Sequence, residues 1–119
     1  MITTQINNKS VLGLWHFLMP SQLLPISSEE KKWVQKLTPK RGFIYHFSRG
    51  CLRHVMSNMT SVDPLDIPLK ADPGEPPLLA EGWGYVSMSH CCDALLIGWS
   101  SGNIGVDIER KDRQFQAYK

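Results

Sequence analysis

The strongest constraint on what this chain can fold into is a row of apolar side chains downstream of Pro39. Phe43, Ile44, Phe47, Cys51, Leu52, Val55, Met56 and Met59 recur at three- and four-residue steps, the spacing of one face of an α-helix. Pro39 suits the first turn of that helix, where its missing N–H is not needed. The spacing therefore predicts a long helix opening at Pro39. A helix with one apolar face must cover it, and the remaining apolar runs are short and rich in β-formers. Residues 10–18 (SVLGLWHFL) read as a strand. Ala94-Leu95-Leu96-Ile97 and Ile104-Gly105-Val106 read as two more, separated by Ser100-Ser101-Gly102-Asn103, whose small turn-forming residues predict a tight hairpin. The expected fold class is α+β, a small, mainly antiparallel sheet packed on the long helix.

The rest of the chain fits around this frame. Pro20 and Pro25 break the backbone, and Ser27-Ser28-Glu29-Glu30 supplies an N-cap with acidic residues in the first turn of a short helix over residues 28–37. Residues 60–82 are rich in Pro, Asp and Gly and read as a connector, with Ile67-Pro68-Leu69 as a short edge strand. At 119 residues the chain is expected to form one domain with a single modest core. A formal charge of +2 and 20% charged residues give no argument for nucleic acid or membrane as partner. The N-terminal residues are too polar for a secretory leader and no apolar run is long enough to span a bilayer, so the expected location is cytoplasmic. The three cysteines agree: Cys91 and Cys92 are adjacent, Cys51 falls on the long helix, and all three read as reduced thiols. Successive residues of a strand point to opposite faces, which argues against His90-Cys91-Cys92 as a zinc site.

Two groups of residues suggest chemistry. Asp107 and Glu109 alternate with Val106 and Ile108, so on a strand both carboxylates leave the same face. Like charges side by side need open water, a cationic side chain or a hard metal ion, and a solvated or salt-bridged face is the ordinary case. Gly105 leaves room for close approach, and Ser87-Met88-Ser89-His90 brings an imidazole to the same end of the sheet. On the long helix, Arg41, Arg49 and Arg53 fall within an arc of about 120° at 100° per residue, with Lys40 and His46 close in sequence. A solvated face is again the ordinary reading.

Together, Ser89-His90, the apolar strand that follows and Ile104-Gly105-Val106-Asp107-Ile108-Glu109 resemble the N-terminal half of a two-lobed 4'-phosphopantetheinyl transferase. The resemblance runs upstream through Gly74-Glu75-Pro76 and Arg49-Gly50-Cys51-Leu52-Arg53, and covers residues 38–110. It implies transfer of the phosphopantetheine group of coenzyme A to a serine of an acyl or peptidyl carrier protein, with Mg2+ on Asp107 and Glu109. It implies Asp107, Glu109 and His90 as the catalytic set, and Arg49, Arg53, Ser89 and His90 as coenzyme contacts, with Lys40 and Arg41 as further bases. This sequence departs from the family in two places. Glu75 stands where the family has a phosphate-bordering lysine, and the Trp-x-x-Lys-Glu motif of the second lobe is missing. The expectation is therefore an N-terminal lobe, with residues 110–119 as the start of an inter-lobe linker and a homodimer standing in for the second lobe. Two other readings stay open: a non-catalytic module of the same fold that binds a carrier protein or another partner, and a small metal-binding regulatory protein with Asp107 and Glu109 as its site.

Overall fold

A computed structural model describes residues 2–6, 11–18, 22–91, 93–101 and 104–108. Along the chain run β1 (Ile2–Ile6), β2 (Val11–Leu18), α1 (Ser28–Lys36), α2 (Pro39–Thr60), a 3-10 turn (Pro64–Asp66), β3 (Leu69–Lys70), β4 (Leu78–Leu79), β5 (Tyr85–Cys91), β6 (Ala94–Ser100) and β7 (Ile104–Ile108). Helix α1 begins with a reciprocal cap. The Glu30 amide donates to Ser27 Oγ at 3.1 Å, and the Ser27 amide donates to Glu30 Oε1 at 2.8 Å, so two otherwise orphaned N–H groups are satisfied. Helix α2 is capped by Thr38, whose Oγ1 accepts from the Arg41 amide, and has Pro39 in its first turn as the spacing predicts. It stops at Ser61, which takes the left-handed conformation (φ 64°) and donates its N–H to Ser57 O.

The apolar face of α2 builds the core. Phe47, Cys51, Leu52, Val55 and Met56 are buried and meet Leu95, Ile97 and Trp99 of β6, while Trp15, Phe17, Val86 and Met88 pack around them. Full burial of a Leu or Met side chain stabilises by about 1.5–3 kcal/mol, so this face holds helix to sheet. The predicted stripe overshoots at its end, where Met59 is 53% exposed.

The central sheet has the order β2-β6-β5, antiparallel throughout. Residues 95–100 of β6 are buried on both faces, as suits a middle strand. The expected hairpin between the runs at 94–97 and 104–106 does not form as a ladder. Both edges of β6 are already occupied by β2 and β5, and the tight connection lies between β5 and β6, where Cys91 pairs with Ala94 across two residues. Strand β7 pairs instead with β1, Asp107 opposite Thr3, and its backbone comes within 8 Å of β5 and β6. The sequence reading assigned no strand to β1. The expected connector is more structured than its composition suggests: β3 and β4 pair antiparallel, Leu69 with Leu79 and Lys70 with Leu78.

Residues 22–27 cross over α2 at Gly50. A Cβ there would lie 2.6 Å from Leu24 O, so the crossing requires a residue without one. His46 Nε2 donates to the same Leu24 carbonyl at 3.0 Å and fixes the crossing. The chain is thus a small α+β domain with a mainly antiparallel sheet, and no helix among the described residues is long and apolar enough to cross a membrane.

Candidate anion-binding cleft

The two arginines assigned to one role on α2 have different fates. Arg53 is 3% exposed. Its Nε and Nη2 donate to the two carboxylate oxygens of Glu30 at 2.8 and 3.0 Å, and its Nη1 donates to Pro64 O and Ile67 O at 3.0 and 3.2 Å. A forked, buried guanidinium with these partners joins α1, α2 and the 3-10 turn. Arg53, expected as a coenzyme contact, is thus buried against a carboxylate and is not among the residues lining the cleft that Arg49 faces.

Arg49 lies one turn earlier and faces a cleft of about 220 Å³. The cleft runs between the first half of α2, which contributes Arg41, Ile44, Tyr45 and Arg49, and the turn after β3, which contributes Pro73 and Gly74; Leu37 and His90 complete its lining. Alternation along β5 explains why His90 reaches it. Val86 and Met88 pack toward the core, and His90, two residues further on, continues that face at the exposed end of the strand. Ser89 falls on the other face of β5, opposite Leu96 of β6. The Ser89-His90 pair is thus divided by the pleat.

Arg49 is held in place by neutral groups. Its Nε donates to Ala71 O (3.2 Å), Nη1 to Ser48 Oγ (3.0 Å) and Nη2 to Asp72 O (3.3 Å), and its guanidinium carbon sits 4.3 Å from the centre of the Tyr45 ring. Burial lowers its pKa from the ordinary guanidinium value, an effect countered by Tyr45 and by the carboxylates of Glu30 and Asp72. Arginine still keeps its proton at any physiological pH. Burial also pushes the Tyr45 hydroxyl up to about 12, the nearby Arg49 charge working in the opposite direction, so Tyr45 is neutral at pH 7. Gly74, at φ 79°, turns the chain so that the Glu75 amide donates to Asp72 O at 3.1 Å. Glu75 itself is exposed on this turn.

The field at this end of α2 is positive for a second reason. Its first turn holds Lys40 and Arg41 and no acidic residue, so the positive end of the helix dipole is reinforced rather than neutralised. The arrangement can hold an anion with forked N–H donors from Arg49 beside the basic first half of α2. The sequence reading placed Arg49 and His90 together, but missed Tyr45 and the carbonyls of Ala71 and Asp72. The four-residue step from Tyr45 to Arg49 is the one signal that points to the ring beneath the guanidinium.

Of the expected metal ligands, Asp107 is placed by backbone in β7 and Glu109 lies outside the described residues. Among the described residues no three His, Cys, Asp or Glu side chains come together as a metal site. Comparison of the chain with models of known protein families and with curated proteins gives no match.

Proposed function

We propose that this domain binds the phosphate groups of coenzyme A and acts as one half of a phosphopantetheinyl transferase. The observation that carries the reading is the meeting of Arg41, Arg49 and His90 in one cleft beside the first half of α2. These are cationic and N–H-donating groups of the kind that grip phosphate esters. Strand β7, which carries Asp107, runs close to β5, which carries His90. Carboxylates are hard oxygen donors suited to Mg2+, and such an ion supplies charge neutralisation on pyrophosphate oxygens.

In the reaction, the serine oxygen of a carrier protein attacks the phosphorus that bears the pantetheine arm, and the bond from that phosphorus to the bridging oxygen breaks. The serine proton passes to a base, which the family resemblance puts in the second lobe. Adenosine 3',5'-bisphosphate leaves with the bridging oxygen and its electron pair. In this half, Arg49, Arg41 and His90 bind and orient the phosphates, which holds the coenzyme for attack.

Calorimetric titration of coenzyme A, with and without Mg2+, tests the reading. Loss of one charge-assisted contact weakens binding by about 10- to 100-fold, so Arg49→Gln and His90→Ala should each weaken it, and Asp107→Ala with Glu109→Ala should abolish its Mg2+ dependence. Unchanged affinity in Arg49→Gln would sink the proposal. Glu75, exposed on the turn that borders the cleft, favours a second reading: a module of the same fold that holds a carrier protein or other partner without transfer. Carrier-protein binding with no mass gain on its serine in the presence of coenzyme A would select it.

A further inference from the structure

We propose that Tyr45 is the positioning residue of this cleft, fixing the Arg49 guanidinium and the backbone of residues 71–74 in one arrangement and so setting the affinity for a phosphate ester. The inference rests on the reading of the cleft as a phosphate site. Tyr45 is 3% exposed, and its ring lies under the Arg49 guanidinium at 4.3 Å. Its hydroxyl donates to Ala71 O at 2.8 Å, the same carbonyl that accepts from Arg49 Nε at 3.2 Å. A second link closes on Tyr45 from the other side. Arg49 Nη1 donates to Ser48 Oγ, and that hydroxyl donates to Tyr45 O at 3.1 Å.

The guanidinium is therefore framed by one residue in three ways: by its ring, by the carbonyl its hydroxyl fixes, and by the hydroxyl its own carbonyl fixes. Three N–H groups of Arg49 are used in this frame, which leaves one on each terminal nitrogen to form a fork toward a ligand. A free arginine would lose much rotamer freedom on gripping a phosphate, and here that ordering is complete before the ligand arrives. Tyr45 contributes no charge of its own, so its effect on anion affinity runs entirely through Arg49 and the turn.

The test is calorimetric titration of inorganic pyrophosphate into the full chain and into Tyr45→Phe, Tyr45→Leu, Arg49→Gln and the Tyr45→Leu/Arg49→Gln double variant, each below its own unfolding transition. Tyr45→Phe keeps the ring but loses the hydrogen bond to Ala71 O, and should bind about threefold more weakly than the parent. Tyr45→Leu should lose about tenfold. In the double variant the losses should not add, binding being no weaker than in Arg49→Gln alone, because a residue that acts through Arg49 has nothing left to act on. Losses that add, or a Tyr45→Leu chain that binds as tightly as the parent, overturn the inference while leaving the phosphate reading in place. A parent chain that does not bind pyrophosphate overturns both. If Tyr45→Leu does not fold, the NMR resonance of Arg49 Nε–H in the parent decides: a ring-shifted signal in slow exchange with water supports the frame, and a solvent-averaged signal refutes it.

Discussion

Neutralising Glu30 should unfold this domain more readily than any surface change, because Glu30 is the only carboxylate among the described residues that the buried Arg53 reaches. Glu30→Gln is the cleanest perturbation. The glutamine oxygen can still accept from the Ser27 amide and from Arg53 Nε, so the cap of α1 survives, while the charge and the acceptor for Arg53 Nη2 are removed. What remains is a guanidinium with 3% exposure, two backbone carbonyls and a neutral amide as its partners. Removing one member of a buried ion pair costs about 3–5 kcal/mol, since the other charge stays buried without its counterion. The residual amide contact puts the expected loss near 3 kcal/mol. Domains of this size have about 6–18 kcal/mol in total, at roughly 0.05–0.15 kcal/mol per residue, so the loss should be plain in a urea unfolding curve as a lower midpoint at unchanged slope. The double change Glu30→Gln with Arg53→Met should recover part of it, because no buried charge is then left without a counterion. A Glu30→Gln loss below about 1 kcal/mol would refute the reasoning, as it would place the pair in the range of solvent-screened surface bridges.

Three other outcomes follow from the same structure. Gly50→Ala should destabilise by about 1–3 kcal/mol in urea unfolding, since the new methyl group meets Leu24 O and the crossing of residues 22–27 must shift. Stability should fall as pH rises from about 10 through about 12. Burial raises the Tyr45 pKa above its unfolded value, so the folded state holds that proton more tightly, and up to about 3 kcal/mol present below pH 10 is lost as the hydroxyl ionises; Tyr45→Phe should flatten the alkaline limb. Cys51, which burial raises to about 11, should stay unreactive toward a thiol reagent at neutral pH in the folded chain and react fully in urea.

How much of this was legible in the sequence depended on whether the signal was local. The N-cap at Ser27, the first-turn Pro39 and the apolar row of α2 as far as Met56 are local patterns, and each is found where the spacing puts it. Strand pairing is not local. Ser100-Ser101-Gly102-Asn103 has hairpin chemistry, but β6 is a central strand whose edges are taken by β2 and β5, so the run at 104–108 pairs with β1, about a hundred residues away in sequence. Nothing in the composition of residues 2–6 announces that partner. For the cleft, the residue types of Arg49 and His90 were informative. The Ala71 and Asp72 carbonyls were not, since a backbone acceptor has no sequence signature.

Arg49 and Arg53 share a helix face but differ in environment. A guanidinium can be buried against a carboxylate or held by neutral oxygens, and the consequences for the field are opposite. Glu30 cancels the charge of Arg53, and the pair contributes little beyond its own surroundings. The hydrogen-bond and ring partners of Arg49 are two carbonyls, a hydroxyl and an aromatic face, none with a net charge to offset its own. The side chain of nearby Asp72 is turned to Lys70 instead, at 3.5 Å. With Arg41 lining the same cleft, the arginines of α2 that have no carboxylate partner lie in its first half, and the single arginine of its second half is neutralised by Glu30. On the proposed phosphate reading, an anion is therefore expected at the first half of the helix, where His90 and the turn after β3 converge.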